Sequence, residues 1–126
     1  MTDTIVFDAG ALIGFEKRSR DVVRLIVQTS ERGARIAVPA GVVAQVWRDG
    51  SRQARLAWLL GIRELVIEPL DDRKARAAGQ LCGVTRTADI VDASVVLCAR
   101  THGARIVTSD PEDLRRLDPK ADLIVI

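Results

Sequence analysis

Three aspartates stand where a charge needs a reason. Asp8 follows directly on the apolar run Ile5-Val6-Phe7, and Asp110 closes Val107-Thr108-Ser109-Asp110 just after another such run. Asp92 is flanked by Ile90, Val91, Ala93, Val95, Val96 and Leu97. A carboxylate in that company is costly to keep ionised unless a cation or a polar cleft receives it. Asp8 and Asp110 each have a plainer reading as well, because aspartate caps helices and starts turns. Were the three to converge, their repulsion would raise their pKa values or force the site open unless a cation neutralised them. Hard carboxylate oxygens with no histidine or cysteine beside them favour Mg²⁺ or Mn²⁺ over zinc. Asp89 lies three residues before Asp92 on the same helical face and is a further candidate metal ligand, although a first-turn aspartate also complements the helix dipole. Thr108 and Ser109 carry hydroxyls that can orient a carboxylate or simply satisfy turn backbone groups.

To bring these residues together the chain needs strands that end on aspartates and helices that return between them. Periodicity predicts strands at Thr4–Phe7, 34–38, 65–67, 105–108 and 123–126. It predicts helices from Asp21 to about Arg32 with Gly33 as the stop, and from Pro39 in the first turn to about Gly50. Further helices are expected from about Ser51 to Leu60, from Asp71 to about Gly83, from Thr87 as N-cap to His102, and from Pro111 to Leu117. Strands separated by helices along the entire chain imply an α/β fold, a single-domain three-layer α/β/α sandwich over residues 1–126 with a mostly parallel sheet. In such sheets the functional crevice lies beyond the carboxyl ends of the strands, where Asp8 and Asp110 fall.

Bulk properties narrow the class. A chain of 126 residues and 13.7 kDa, 48% hydrophobic and 29% charged, fits one soluble globular domain. Its apolar runs fall far short of the roughly 20 residues that span a bilayer, and Asp3 and Asp8 sit where a signal peptide wants a basic start, so a cytoplasmic protein with no membrane partner is expected. Cys82 and Cys98 are read as buried thiols, with no zinc set in the sequence. The net charge is only +2, yet 16 of 19 basic residues are arginine, the side chain suited to bidentate phosphate contacts. Arg18, Arg20, Arg48 and Arg86 lie near the proposed cleft segments. Trp47 and Trp58 are read as core or subunit-contact residues, and His102 as a helix-end residue suited to the dipole.

Taken together, these segments resemble a known family. Ile5-Val6-Phe7-Asp8-Ala9-Gly10-Ala11-Leu12-Ile13 is similar to the opening of the PIN domain, Asp92-Ala93-Ser94-Val95-Val96 to its third acidic motif, and Val107-Thr108-Ser109-Asp110-Pro111-Glu112-Asp113-Leu114 to its fourth. The resemblance covers nearly the whole chain and is closest to VapC-type toxins. It implies a metal-dependent ribonuclease that leaves a 5′-phosphate and a 3′-hydroxyl, with Asp8, Asp92 and Asp110 as metal ligands. Asp89 and Asp113 would be outer contributors. It also implies a homodimer and a cognate VapB-type antitoxin that blocks the cleft.

One position departs from the pattern. The second motif normally carries a glutamate where Val42-Val43-Ala44-Gln45-Val46 has Gln45. An amide oxygen can still meet a cation, but it brings no negative charge and cannot act as a base, so weakened or lost activity is expected. The alternative is a PIN-like module that binds RNA or a protein without cutting; a small-molecule phosphate-ester hydrolase is a third reading. With 3% aromatic residues and no tyrosine, recognition of folded RNA by shape is favoured over base stacking.

Overall fold

Five short apolar segments pair side by side, all in parallel. They are β1 (Thr4–Phe7), β2 (Arg35–Pro39), β3 (Leu65–Glu68), β4 (Arg105–Thr108) and β5 (Leu123–Val125), in the order β3-β2-β1-β4-β5. The computed structural model describes residues 3–126, so Met1 and Thr2 of the expected 1–126 domain lie outside the described residues. β1, the central strand, buries Ile5, Val6 and Phe7, as a strand covered on both faces must. The edge strands are less protected, with Val66, Ile67 and Val125 exposed. Register pairs Val6 with Ala37 on one side and with Ile106 on the other.

Seven α-helices cover this sheet: α1 (Ala9–Glu16), α2 (Arg20–Glu31), α3 (Ala40–Val46), α4 (Ala54–Leu60), α5 (Asp72–Thr85), α6 (Ile90–His102) and α7 (Pro111–Leu117). α1, α2 and α4 pack on one face, α5, α6 and α7 form the other layer, and α3 reaches both α1 and α6. The result is the expected three-layer sandwich. Phe7, Leu12, Ile36, Leu56, Leu59, Ile106 and Leu114 are fully buried between the layers. Each contributes roughly 1.5–3 kcal/mol by leaving water. α6 is the helix laid across β1, β2 and β4, and it buries Ala93, Val95, Val96, Cys98 and Ala99. Gly103 ends it in the left-handed conformation, φ 58°, where a glycine has no Cβ penalty. Among the described residues no helix is long and apolar enough to cross a membrane.

Several boundaries differ from expectation. α1 is a whole helix that the small residues after Asp8 conceal; it is apolar on every side and shows no amphipathic period. Ser19, not Asp21, caps α2, and Pro39 is the last residue of β2 instead of the first turn of α3. α3 stops at Trp47, and Gly50–Arg52 forms a separate 3-10 turn before α4. Asp89 caps α6 in place of Thr87, and α5 runs on to Thr85. Trp47 and Trp58 are not core residues: they are 38% and 61% exposed, and Trp58 stacks on Phe15 at 6.1 Å. Cys82 and Cys98 are buried free thiols, as expected. His102 ends α6, yet it also reaches across to β3 and hydrogen-bonds Glu68.

Candidate metal centre

The strand order reverses direction at β1. The chain runs outward through β2 to β3, then returns to the other side of β1 for β4 and β5. The carboxyl ends of β1 and β4 therefore flank the switch point, the place where open α/β sheets bind ligands. Asp8 and Asp110 stand at those two ends, each as the N-cap residue of the helix that follows.

Asp8 is 6% exposed, and its Oδ1 accepts the N–H of Ala11 at 3.1 Å. Burial raises its pKa above the ordinary carboxylate value, while hydrogen bonds from the Thr108 hydroxyl and the N–H groups of Ala11 and Gly10 hold it back. Thr108 thus belongs to the site: it touches the Asp8 carboxylate, and its Oγ1 accepts the N–H of Asp110 at 2.9 Å. One hydroxyl connects the two strand ends.

The loop between β4 and α7 comes down on the start of α1 because residue 10 has no side chain. A Cβ at Gly10 would lie 2.2 Å from Ser109 Oγ and 3.1 Å from Ser109 N. This close approach, invisible in the spacing of the motifs, is what draws Asp110 toward Asp8.

Asp92 sits in the first turn of α6, partly buried, and its N–H donates to Asp89 Oδ1 at 2.9 Å. Its pKa is pushed up to about 7, first by burial and then by the negative charges of Asp89, Asp113 and Asp8. Asp110 is exposed, and its pKa is also raised, chiefly by a side-chain hydrogen bond with Asp113, then by slight burial and the charges of Asp113, Asp8 and Glu112. Asp92 and Asp110 thus each feel the charges of Asp8 and Asp113, and Asp92 feels that of Asp89 as well. Glu112, which the motif reading passes over, adds its charge because the first turn of α7 aims it the same way.

Among the described residues, no lysine or arginine forms an ion pair with Asp8, Asp89, Asp92 or Asp110; only Asp113 has one, with Arg116 at 3.7 Å. A group of carboxylates with raised pKa values and no cationic side chain fits a hard divalent ion such as Mg²⁺ or Mn²⁺, whose preferred donors are all oxygen. These residues fit that group.

Gln45 is exposed on α3. Its helix does reach the same end of α6, since a Cβ at Gly41, one turn earlier on the same face, would lie 3.3 Å from Val91 Cγ2. Arg18, Arg20, Arg48 and Arg86 are all exposed. Arg48 is occupied at the end of its own helix, its Nη1 donating to the carbonyls of Ala44 and Trp47 at 2.8 and 2.9 Å.

The fold has counterparts. The chain is similar to one in VapBC2 from Rickettsia felis bound to a DNA fragment from their promoter, at TM-score 0.74 and 15% identity, covering 98% of each chain. It is similar to a chain of a toxin-antitoxin complex from Klebsiella pneumoniae, at TM-score 0.71 and 13% identity, covering 96% of each. A chain of FitAB bound to an IR36 DNA fragment matches at TM-score 0.62 and 15% identity, over 96% of this chain and 94% of that one. At such identities the likeness is one of fold. No curated protein matches the sequence significantly. The family model described as the PIN domain, however, matches residues 5–120, a span that runs from β1 beyond α7 and takes in all five aspartates, and the chain therefore belongs to the PIN domain family.

Proposed function

We propose that this chain is a divalent-metal-dependent endoribonuclease, a toxin of the VapC kind restrained by a cognate antitoxin. The observation that carries the reading is the grouping of Asp8, Asp92 and Asp110 at the point where the strand order reverses, with their pKa values raised and no cationic side chain to balance them. Mg²⁺ or Mn²⁺, when bound, would supply the Lewis acid that phosphodiester hydrolysis needs. The chain's own residues have the remaining tasks. Asp8, held by Ala11 and Thr108, would be the fixed ligand; Asp92, with its raised pKa, would give up a proton on binding; Asp110 would complete the set, with Asp89 and Asp113 tuning Asp92. Exposed arginines near the cleft, Arg18, Arg20 and Arg86, would position the RNA backbone.

Toxin–antitoxin complexes among the similar structures support an antitoxin partner. So does an apolar surface where Val23 and Val27 of α2 and Trp58 of α4 are exposed around Phe15. We also propose a homodimer in the cytoplasm. Gln45 favours the second reading, a PIN domain that binds RNA or a protein without cutting, because it supplies no charge at a position where the family carries glutamate.

The deciding experiment incubates a pool of structured RNA with the chain and its Gln45→Glu variant, each with Mg²⁺ or EDTA, and adds Asp8→Asn to the variant as control. Cutting that needs magnesium and vanishes with Asp8→Asn supports the nuclease. Retarded but uncut RNA from both folded, magnesium-loaded proteins supports the binding module.

A further inference from the structure

Away from the aspartates, three side chains with different donor atoms meet where α6 passes the edge strand β3. Cys98 and His102 are four residues apart and share a helical face, and Glu68, the last residue of β3, faces them. Cys98 Sγ lies 3.4 Å from Glu68 Oε2, and His102 Nε2 is hydrogen-bonded to Glu68 Oε1. One ligand atom from each lies within 4.8 Å of the other two, and this is the one such group among the described residues. We propose that Glu68, Cys98 and His102 form a site for a borderline transition-metal ion of the Zn²⁺ class, separate from the acidic centre.

The donor set separates this site from the first. Thiolate, imidazole and carboxylate together suit Zn²⁺, whereas Mg²⁺ keeps to oxygen. Bonds of roughly 2.0–2.3 Å in a tetrahedral arrangement put neighbouring ligand atoms about 3.3–3.8 Å apart, so Cys98 Sγ and Glu68 Oε2 already stand at that spacing, while His102 Nε2 and Glu68 Oε1, now hydrogen-bonded, must move apart to admit the ion. Two donors are fixed by one turn of a packed helix and the third by a strand end, so the backbone need not move. Binding would exchange the Cys98 thiol proton, and the proton shared by His102 and Glu68, for the ion. Glu68 and Cys98 also line a cleft of about 510 Å³ between α5 and α6, which supplies an entry path and room for a fourth ligand. Lys74 is the competitor: its Nζ lies 3.7 Å from Glu68 Oε2, but its side chain is 49% exposed and can withdraw into water at little cost. Along α6, Cys98 and His102 follow Asp92 by six and ten residues, roughly 9 and 15 Å of helix, so the two centres bind independently.

Cobalt is the probe, because it takes zinc positions and reports a thiolate ligand by its charge-transfer absorption. One equivalent of Co²⁺ added to the full reduced chain should raise that absorption, and one equivalent of Zn²⁺ should erase it. The absorption should persist in Cys82→Ser and in the double variant Asp8→Asn/Asp92→Asn, and disappear in Cys98→Ser. His102→Gln should weaken Zn²⁺ binding by more than roughly tenfold, since even the outer partners of ligands carry that much. Zn²⁺ should raise the thermal midpoint of the unmodified chain and leave that of Cys98→Ser in place. No thiolate absorption from the folded chain, absorption that survives Cys98→Ser, or absorption lost with the two aspartates would overturn the proposal and leave the trio as a hydrogen-bonded tie. None of these outcomes depends on the nuclease reading.

Discussion

Asp89 accepts the backbone N–H of Asp92 at 2.9 Å, so the residue that starts α6 also holds its charge one turn from the carboxylate whose pKa it helps to raise. Cap and charge can be separated. Asp89→Asn keeps an oxygen for the N–H but removes the charge, whereas Asp89→Ala removes both. The alanine variant should be about 1 kcal/mol less stable than the asparagine variant in denaturant unfolding. In Asp89→Asn, carboxyl NMR should show Asp92 titrating lower than in the unmodified chain. Equal stability of the two variants would mean that the cap contributes nothing.

Acid should stabilise the metal-free protein across the window that the aspartates define. Asp8, Asp92 and Asp110 all have pKa values above the ordinary 3.8, with Asp92 at about 7. The native state then binds protons more tightly than the unfolded chain, and stability falls as pH rises from about 4 towards 7. Glu68 acts the other way. Despite burial, its bonds to His102 and Cys98 and the charges of His102 and Lys74 hold it below its usual 4.5, so its contribution is lost only at lower pH. Asp92→Asn should flatten the fall and be more stable than the unmodified chain at pH 8 by on the order of 1 kcal/mol, after discounting for solvent screening and shared titration. Thermal midpoints that climb with pH over that window would contradict this account.

The same protons oppose the ion. Mg²⁺ affinity, followed calorimetrically, should drop as pH falls below about 7, because Asp92 must lose its proton to serve as a ligand. Affinity that is flat from pH 6 to 8 would remove Asp92 from the ligand set.

Restoring the charge at residue 45 should raise magnesium-dependent RNA cleavage by roughly tenfold or more, within the range of a single acid–base group. Asp8→Asn should abolish the gain while α1 stays capped through the asparagine oxygen. If Gln45→Glu cuts no faster than the unmodified chain, α3 plays no part in the chemistry.

Much of this was legible in the sequence, for physical reasons. Apolar runs of four residues bounded by Gly, Pro or Asp are too short for a helix and favour a strand, which is why β1 and β4 were readable with the aspartates after them. α1 was not, because a helix made almost wholly of small and apolar residues has no polar face to give it a period. The trio of Glu68, Cys98 and His102 was half legible. The i, i+4 spacing of Cys98 and His102 marks one helical face, but no local pattern tells that Glu68, thirty residues earlier than Cys98, ends opposite them. Of the two readings of Trp58, core or subunit contact, its exposure removes the first, since an apolar side chain in an apolar helix looks alike in both and exposure is a property of what packs outside.

Gly10 offers a mechanical test of the centre. Alanine there must push Ser109 away, and because the backbone N of Ser109 is itself 3.1 Å from the new Cβ, a rotamer change is not enough. Gly10→Ala should cost about 1–3 kcal/mol by overpacking and weaken Mg²⁺ binding, because Asp110 moves with the loop. Unchanged magnesium affinity would show that Asp110 is not held by this contact.

The central position of β1 also sets when the acidic centre can form. β1 is the first of the five strands to leave a ribosome, yet one of its two neighbours, β4, begins at Arg105. Until that strand has emerged and closed the long loop back to β1, Asp8 stands without Asp110. Non-local pairing of this sort is slow and comes late in folding. On the proposed nuclease reading, an emerging chain would carry no activity until synthesis has passed residue 110.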